Sequence, residues 1–357
     1  MNELLISRYG NTYSLMVGGE RLIYMSDYET IKDAFNQDST NFRPTGSEDF
    51  RRGYAEFKGG DGFTGIVDSH GPVWREQRRF SIHQLKNFGF GKATMEAQVL
   101  QEIQEFTTDL NKKINQNEEI DFGVSFNLSV MNVLSRIISG TRFDINNEAD
   151  KQKFVDISKI FEFLGGFKVF IAFGLPFSLR NYNPYFKMVI NLVNSMYDMI
   201  QSEKEKHEKT YDEDYMRDYM DCYLREMKRT TDAGDINSSF YGEQGNIHLK
   251  ASILDLYLAG SETSSTTLLF SLMYMVNFPK VQEKVQAELD KVVGHRRLPS
   301  IKDKLELPYV EATIAEIQRC SQVAHQSVLV RNFFTGIFFQ HTDYNHSLET
   351  LIIEFFF

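Results

Sequence analysis

From Lys250 to Phe278 the chain is almost entirely apolar or hydroxyl-bearing, with only Asp255 and Glu262 charged inside the run. At 1.5 Å per residue, a helix of that span is on the order of 40 Å long. Such a rod is expected to cross the whole interior of the fold. A membrane span is the weaker reading. Six Ser or Thr residues lie between Glu262 and Lys280, and the stretch falls short of the roughly 18 uncharged apolar residues that spanning requires. The composition supports a globular, helical chain: 42% hydrophobic, 25% charged, 30 Phe and 7 Pro in 357 residues. Length alone allows two domains or one large one.

The formal net charge of -10 argues against a polycation that grips nucleic acid. The two cysteines, Cys222 and Cys320, exclude a disulfide framework and an all-cysteine zinc site. The N-terminus, MNELLISRYG, has no basic region followed by an apolar core, so it does not read as a signal peptide.

Residues 12–25 read as two β-prone runs around Gly18-Gly19, a small N-terminal hairpin. Asp27 is placed to cap a short helix through Phe35. Gly53, Gly59, Gly60, Gly62 and Gly65 read as a glycine-rich loop that needs permissive backbone. It has no phosphate-binding pattern. From Pro72 onward helical patterns dominate, over 72–85, 94–115, 124–139, 184–209 and 250–278, then after Pro279 and Pro308. A polar loop is expected over 229–246. Residues 160–178 surround Gly165, Gly166, Gly174 and Pro176 with aromatics. They read as a hydrophobic hinge, either ordinary core or a mobile lid or membrane-contacting patch. Residues 332–357 have no Lys or Arg, contain 7 Phe, and show neither helical nor strand periodicity. They are expected to form a disordered tail, separate from a domain over 1–331.

Three motifs carry chemistry. Glu262 lies within AGSETSST, where a carboxylate on an apolar helix needs hydrogen bonds or a function. Ala259 and Gly260 are small enough for a flat ligand to approach the backbone. Thr263 and the following hydroxyls can open the helix locally. A carboxylate beside a hydroxyl can relay protons. The alternative is a satisfied buried Glu in a kinked helix. Glu316 and Arg319, in EIQR, share a helix face and can pair, though any solvated helix offers that spacing. Trp74 and Arg78, in WREQR, place an indole and a guanidinium on one face. Alone they read as a structural Trp with a surface Arg.

The order and separation of GPVWREQRRFS, LDLYLAGSETSSTTL and LPYVEATIAEIQR, with FPKVQEKVQAELDKVVG between them, resemble the cytochrome P450 family of heme-thiolate monooxygenases, closest to the animal microsomal family 2 group. The resemblance covers about residues 1–331. It implies a mainly α cytochrome P450 fold, incomplete, with the small N-terminal β-hairpin. It implies heme as cofactor, with Trp74 and Arg78 at a propionate and Ala259 and Gly260 against the heme face. Glu262 and Thr263 would be the acid–alcohol pair, and Glu316 and Arg319 a buried brace. It implies pocket walls from Phe63–Asp68, 160–178 and Leu256–Leu258. It further implies apolar substrates, NADPH-cytochrome reductase as partner and the endoplasmic reticulum membrane as location. Arg75 and Arg79 belong either to a reductase-facing basic surface or to plain solvation.

The sequence departs from the family after Arg331. The resemblance implies a cysteine ligand in a loop after the ExxR helix, and no cysteine follows Cys320. Cys320 lies inside that helix, and Cys222 reads as a packed helix residue. No metal ligand is therefore identified. The expectation is a chain cut short before the ligand loop, without the family's anchor helix, and inactive as it stands. The alternative is a non-catalytic form that binds heme weakly or binds partners.

Overall fold

The computed structural model describes residues 2–17, 20–37, 48–88, 93–144, 147–165, 168, 172–173, 176–321, 323, 330–332 and 335–339. The expected Gly18-Gly19 turn, Gly166, Gly174 and the end of the Phe-rich segment, 340–357, lie outside the described residues. Helices dominate. In chain order they are α1 (Asn2–Tyr9), α2 (Tyr28–Phe35), α3 (Glu48–Lys58), α4 (Gly71–Asn87), α5 (Ala93–Asn115) and α6 (Phe122–Ser139). Then come α7 (Glu148–Gly165), α8 (Pro184–Lys209), α9 (Tyr219–Asp232), α10 (Gly242–Asn277), α11 (Pro279–Val292) and α12 (Pro308–Ser321). Two 3₁₀ turns, Phe177–Tyr182 and Ile301–Glu306, join them.

The helix limits follow local chemistry. The Asp27 carboxylate accepts from Thr30 N at 2.9 Å and starts α2. Pro72 sits in the first turn of α4, where its missing N–H costs nothing. Asp121 caps α6, and Gly140 ends it at φ 65°, a conformation that favours glycine. Asn183 and Pro184 open α8, and Asp218 caps α9.

β1 (Thr12–Val17) and β2 (Glu20–Met25) pair antiparallel as expected, Thr12 opposite Met25. The sheet continues through β4 (Thr335–Phe339), which pairs parallel with β2, and β3 (Val330–Asn332), in the order β1-β2-β4-β3. The stretch 335–339 read as lacking strand periodicity. It is a strand because a distant partner, β2, supplies its ladder, and no local pattern encodes that partner.

Two other readings are corrected. Gly53 lies inside α3, not in a loop; a Cβ there would stand 3.2 Å from the Phe173 ring. The polar loop shrinks to 233–241, because α9 runs to Asp232 and α10 begins at Gly242. Gly245 lies where a Cβ would collide with the Phe240 carbonyl, so close packing fixes a turn that poor helix formers disguise.

The core lies where α10 runs along α6. Met131, Ile137 and Ile138 of α6 and Leu249, Ile253, Leu254 and Tyr257 of α10 are buried there. α6 is the one described helix long and apolar enough to cross a membrane, at mean hydropathy 1.2, and it is central to this core. Its polar side chains are paired internally: Asn132 donates to Glu102 at 3.1 Å, and Ser135 meets Thr141 at 3.1 Å. The long helix crosses the interior for only part of its length. Its buried positions run from Gly245 to Ser265. Beyond them Leu268, Leu269, Met273 and Val276 are exposed.

Candidate functional site

On α4 the Arg78 guanidinium stacks over the Trp74 indole, 5.2 Å from its centroid. The spacing of four residues puts both on one face, as the sequence requires. The outer face of α4 carries Arg75, Arg79 and His83, which with Glu76, Phe80 and Phe240 line an open groove of about 660 Å³.

The AGSET segment stands where the buried part of α10 gives way to its open part. Thr263 donates its hydroxyl proton to the Ala259 carbonyl at 2.7 Å, one turn back. Glu262 points elsewhere. Its Oε1 accepts from Ser158 of α7 at 2.6 Å and from the Asn127 amide of α6. Two neighbouring helices thus hold that carboxylate oxygen. Gly260 sits against α6. A Cβ there would lie 2.8 Å from Leu134 Cδ1, so its missing side chain lets α6 approach α10.

Glu316 and Arg319 pair within α12 at 2.6 and 2.7 Å, and the Arg319 fork holds the Glu316 carboxyl below its ordinary value. The brace is not buried: the Glu316 side chain is 60% exposed and Arg319 33%. Only Ile317 and Ser321 of that helix are buried. Spacing predicts the pair, but burial depends on what packs over it.

Neither thiol is poised for iron. Cys222 is packed in α9, and burial pushes its thiol up to about 11. Cys320 sits in α12 against Glu316 at 3.6 Å; burial and that carboxylate both raise it.

Of the proposed pocket walls, the hinge at 160–178 turns its described aromatics inward. Phe163 and Phe173 are buried, and Phe173 meets Tyr54, Phe57 and Phe186 edge-on at 5.6, 5.7 and 5.8 Å. Phe63–Asp68 is bound to α10 by a cluster the sequence did not reveal. Lys58 reaches Asp255 Oδ1 at 2.5 Å and Asp68 Oδ2 at 3.0 Å. Burial works to lower Lys58, but the two carboxylates outweigh it and hold the ammonium well above its ordinary value. Asp255 was visible as a charge in an apolar run. Its partner lies 197 residues away, beyond any local pattern.

The cytochrome P450 family model matches residues 3–348, which extends past Arg331. The chain belongs to the cytochrome P450 family. Human cytochrome P450 2J2 is 32% identical over 334 residues, covering 90% of this chain and 61% of that protein. Mouse cytochrome P450 2J5 is 30% identical over 340 residues, covering 94% and 64%. The chain thus spans less than two thirds of the length of these relatives. A solved zebrafish cytochrome P450 with progesterone shares the fold at TM-score 0.77 and 21% identity, over 94% of this chain and 76% of that one.

Cytochrome P450s hold heme, and the described residues fit it on one side only. Arg78, stacked on Trp74, is a carboxylate-binding group suited to a propionate. Ala259 and Thr263, both half-buried, stand at the edge of the open part of α10. Both cysteines lie within helices with their thiols raised, so neither is placed as a thiolate for the iron.

Proposed function

We propose that this chain carries the substrate-side half of a heme-dependent monooxygenase that oxidises apolar organic molecules such as xenobiotics, fatty acids or steroids, and that these 357 residues alone do not turn over. The observation that carries the reading is the AGSET segment of α10, placed where the buried helix becomes open, in a chain that belongs to the cytochrome P450 family. Heme, when bound, supplies the redox chemistry with dioxygen.

The chain's own residues would then act as follows. Arg78, braced by Trp74, binds a propionate. Ala259 lies beside the ring. Thr263 and Glu262 hold and pass protons, with Glu262 anchored by Asn127 and Ser158 between deliveries. Phe63–Asp68, the described residues of 160–178 and Leu256–Leu258 would supply the walls that exclude water. The exposed Arg75 and Arg79 give α4 a basic face suited to an acidic reductase domain. The location that fits is the endoplasmic reticulum membrane.

The test is the reduced, carbon-monoxide-bound absorbance spectrum of the chain loaded with hemin. The expected result is no thiolate-type band; such a band would overturn the claim of inactivity. A second reading, a non-catalytic form that binds heme weakly or binds partners, is favoured by the two unreactive thiols. It predicts a histidine-type band together with soluble, folded protein.

A further inference from the structure

Lys58, at the end of α3, is buried between two carboxylates, Asp255 of α10 and Asp68 of the strap 59–69. Every oxygen of those carboxylates is engaged. Asp255 Oδ1 takes Lys58, and Oδ2 accepts the backbone N–H groups of Ile66 at 2.8 Å and Val67 at 2.9 Å. Asp68 Oδ2 takes Lys58, and Oδ1 accepts the Tyr54 hydroxyl at 2.7 Å. Gly65 N–H donates to His248 Nδ1 at 3.2 Å, which requires a neutral imidazole; burial lowers His248 to about 4. Tyr197 of α8 donates to the Lys58 carbonyl at 3.2 Å. The strap bends through Gly59, Gly60, Gly62 and Gly65, all at positive φ, so the loop offers little stiffness of its own. What fixes it is the cluster. One cation serves two carboxylates, Asp255 buried and Asp68 half-buried. Removing it leaves like charges facing each other out of water, where repulsion is strong.

Asp255 is also placed to matter for the site. It lies four residues before Ala259, hence one turn away on the same face of α10. The backbone of Ile66 and Val67 is therefore fastened one turn from the residue proposed to lie beside the ring.

We propose that Lys58, Asp68 and Asp255 form a lock that bolts the strap 59–69 onto α10, and that Asp255 is the positioning residue that sets where Ile66 and Val67 stand in the pocket wall. The inference rests on reading Phe63–Asp68 as pocket wall. Its test needs neither heme nor turnover, so it fails separately from that reading.

The experiment is residue-resolved amide hydrogen exchange on the full 357-residue chain in three variants. Lys58→Met leaves the carboxylates unbridged, and Ile66 and Val67 should exchange roughly tenfold faster or more. Adding Asp255→Asn removes the opposed charge and keeps one acceptor oxygen, so protection should return. Combining Lys58→Met with Asp255→Leu also removes the charge but deletes the acceptor, so both amides should remain fast. Met131 and Ile157, deep in α6 and α7, should exchange alike in all three. The lock is overturned if Lys58→Met protects these amides as well as the parent chain does, or if the two double variants match. A rise spread evenly over α6 and α7 would likewise overturn it, as the cluster would then be only a part of the general core.

Discussion

Both ring nitrogens of His207 face acceptors. Nδ1 meets the Glu203 carbonyl at 2.8 Å and Nε2 meets Asp218 Oδ2 at 2.9 Å. Two acceptors demand two N–H donors, so the ring is an imidazolium and has no lone pair for a metal. The neighbouring Asp221, close enough to complete a three-residue ligand set, is taken by a bidentate Arg217 fork at 2.6 and 2.8 Å. Burial pushes His207 down, but Asp218 and the Glu203 carbonyl outweigh it and raise the ring above its ordinary 6.5. A raised folded-state value means the contribution to stability is complete below about pH 6.5 and is lost as pH rises through the raised value. Urea midpoints of the parent chain should therefore fall across that window, and those of His207→Gln should fall less. Gly65 is a second residue whose identity is dictated. At φ 77° a Cβ would collide with Asp255 Oδ2 and lie 3.0 Å from the Ala251 backbone. Gly65→Ala should cost about 2 kcal/mol or more in chemical denaturation. In contrast, Arg319→Ala should cost under about 1 kcal/mol, because the pair it breaks is largely solvated.

At the scale of elements, the periodicities of 94–115, 124–139 and 184–209 predict helices to within two residues of their limits, because caps and amphipathic spacing are local properties. The start of α10 escaped that reading. Gly242 and Gly245 argue against helix, and only the fit of Gly245 under the Phe240 carbonyl explains the extension. β4 escaped it too, since a strand this short depends on its neighbour. The two ends of α10 differ in kind: the first is sunk against Phe240, residues 59–65 of the strap and Gln77 of α4, the last is apolar and open. Val276, 68% exposed, is a clear case. Val276→Lys should leave the unfolding free energy within about 0.5 kcal/mol and lower the binding of an apolar fluorescent dye.

For the molecule as a whole, three short motifs in the right order were enough to identify the cytochrome P450 family. Trp74 with Arg78, the AGSET segment and Glu316 with Arg319 sit at fixed separations, and spacing along a helix is set by the backbone. The sequence likewise determined that neither of its two cysteines lies in the residues that follow the helix carrying the last motif. Tertiary structure alone decided the rest. It turned Glu262 toward Asn127 and Ser158, filled the space beside Gly260 with Leu134 and left the Glu316–Arg319 pair in solvent. It also brought Lys58 to Asp255 across 197 residues. The physical reason is common to all four. A side chain's position along its helix follows from local hydrogen bonding. Its partner and its burial follow from whichever distant surface packs against it.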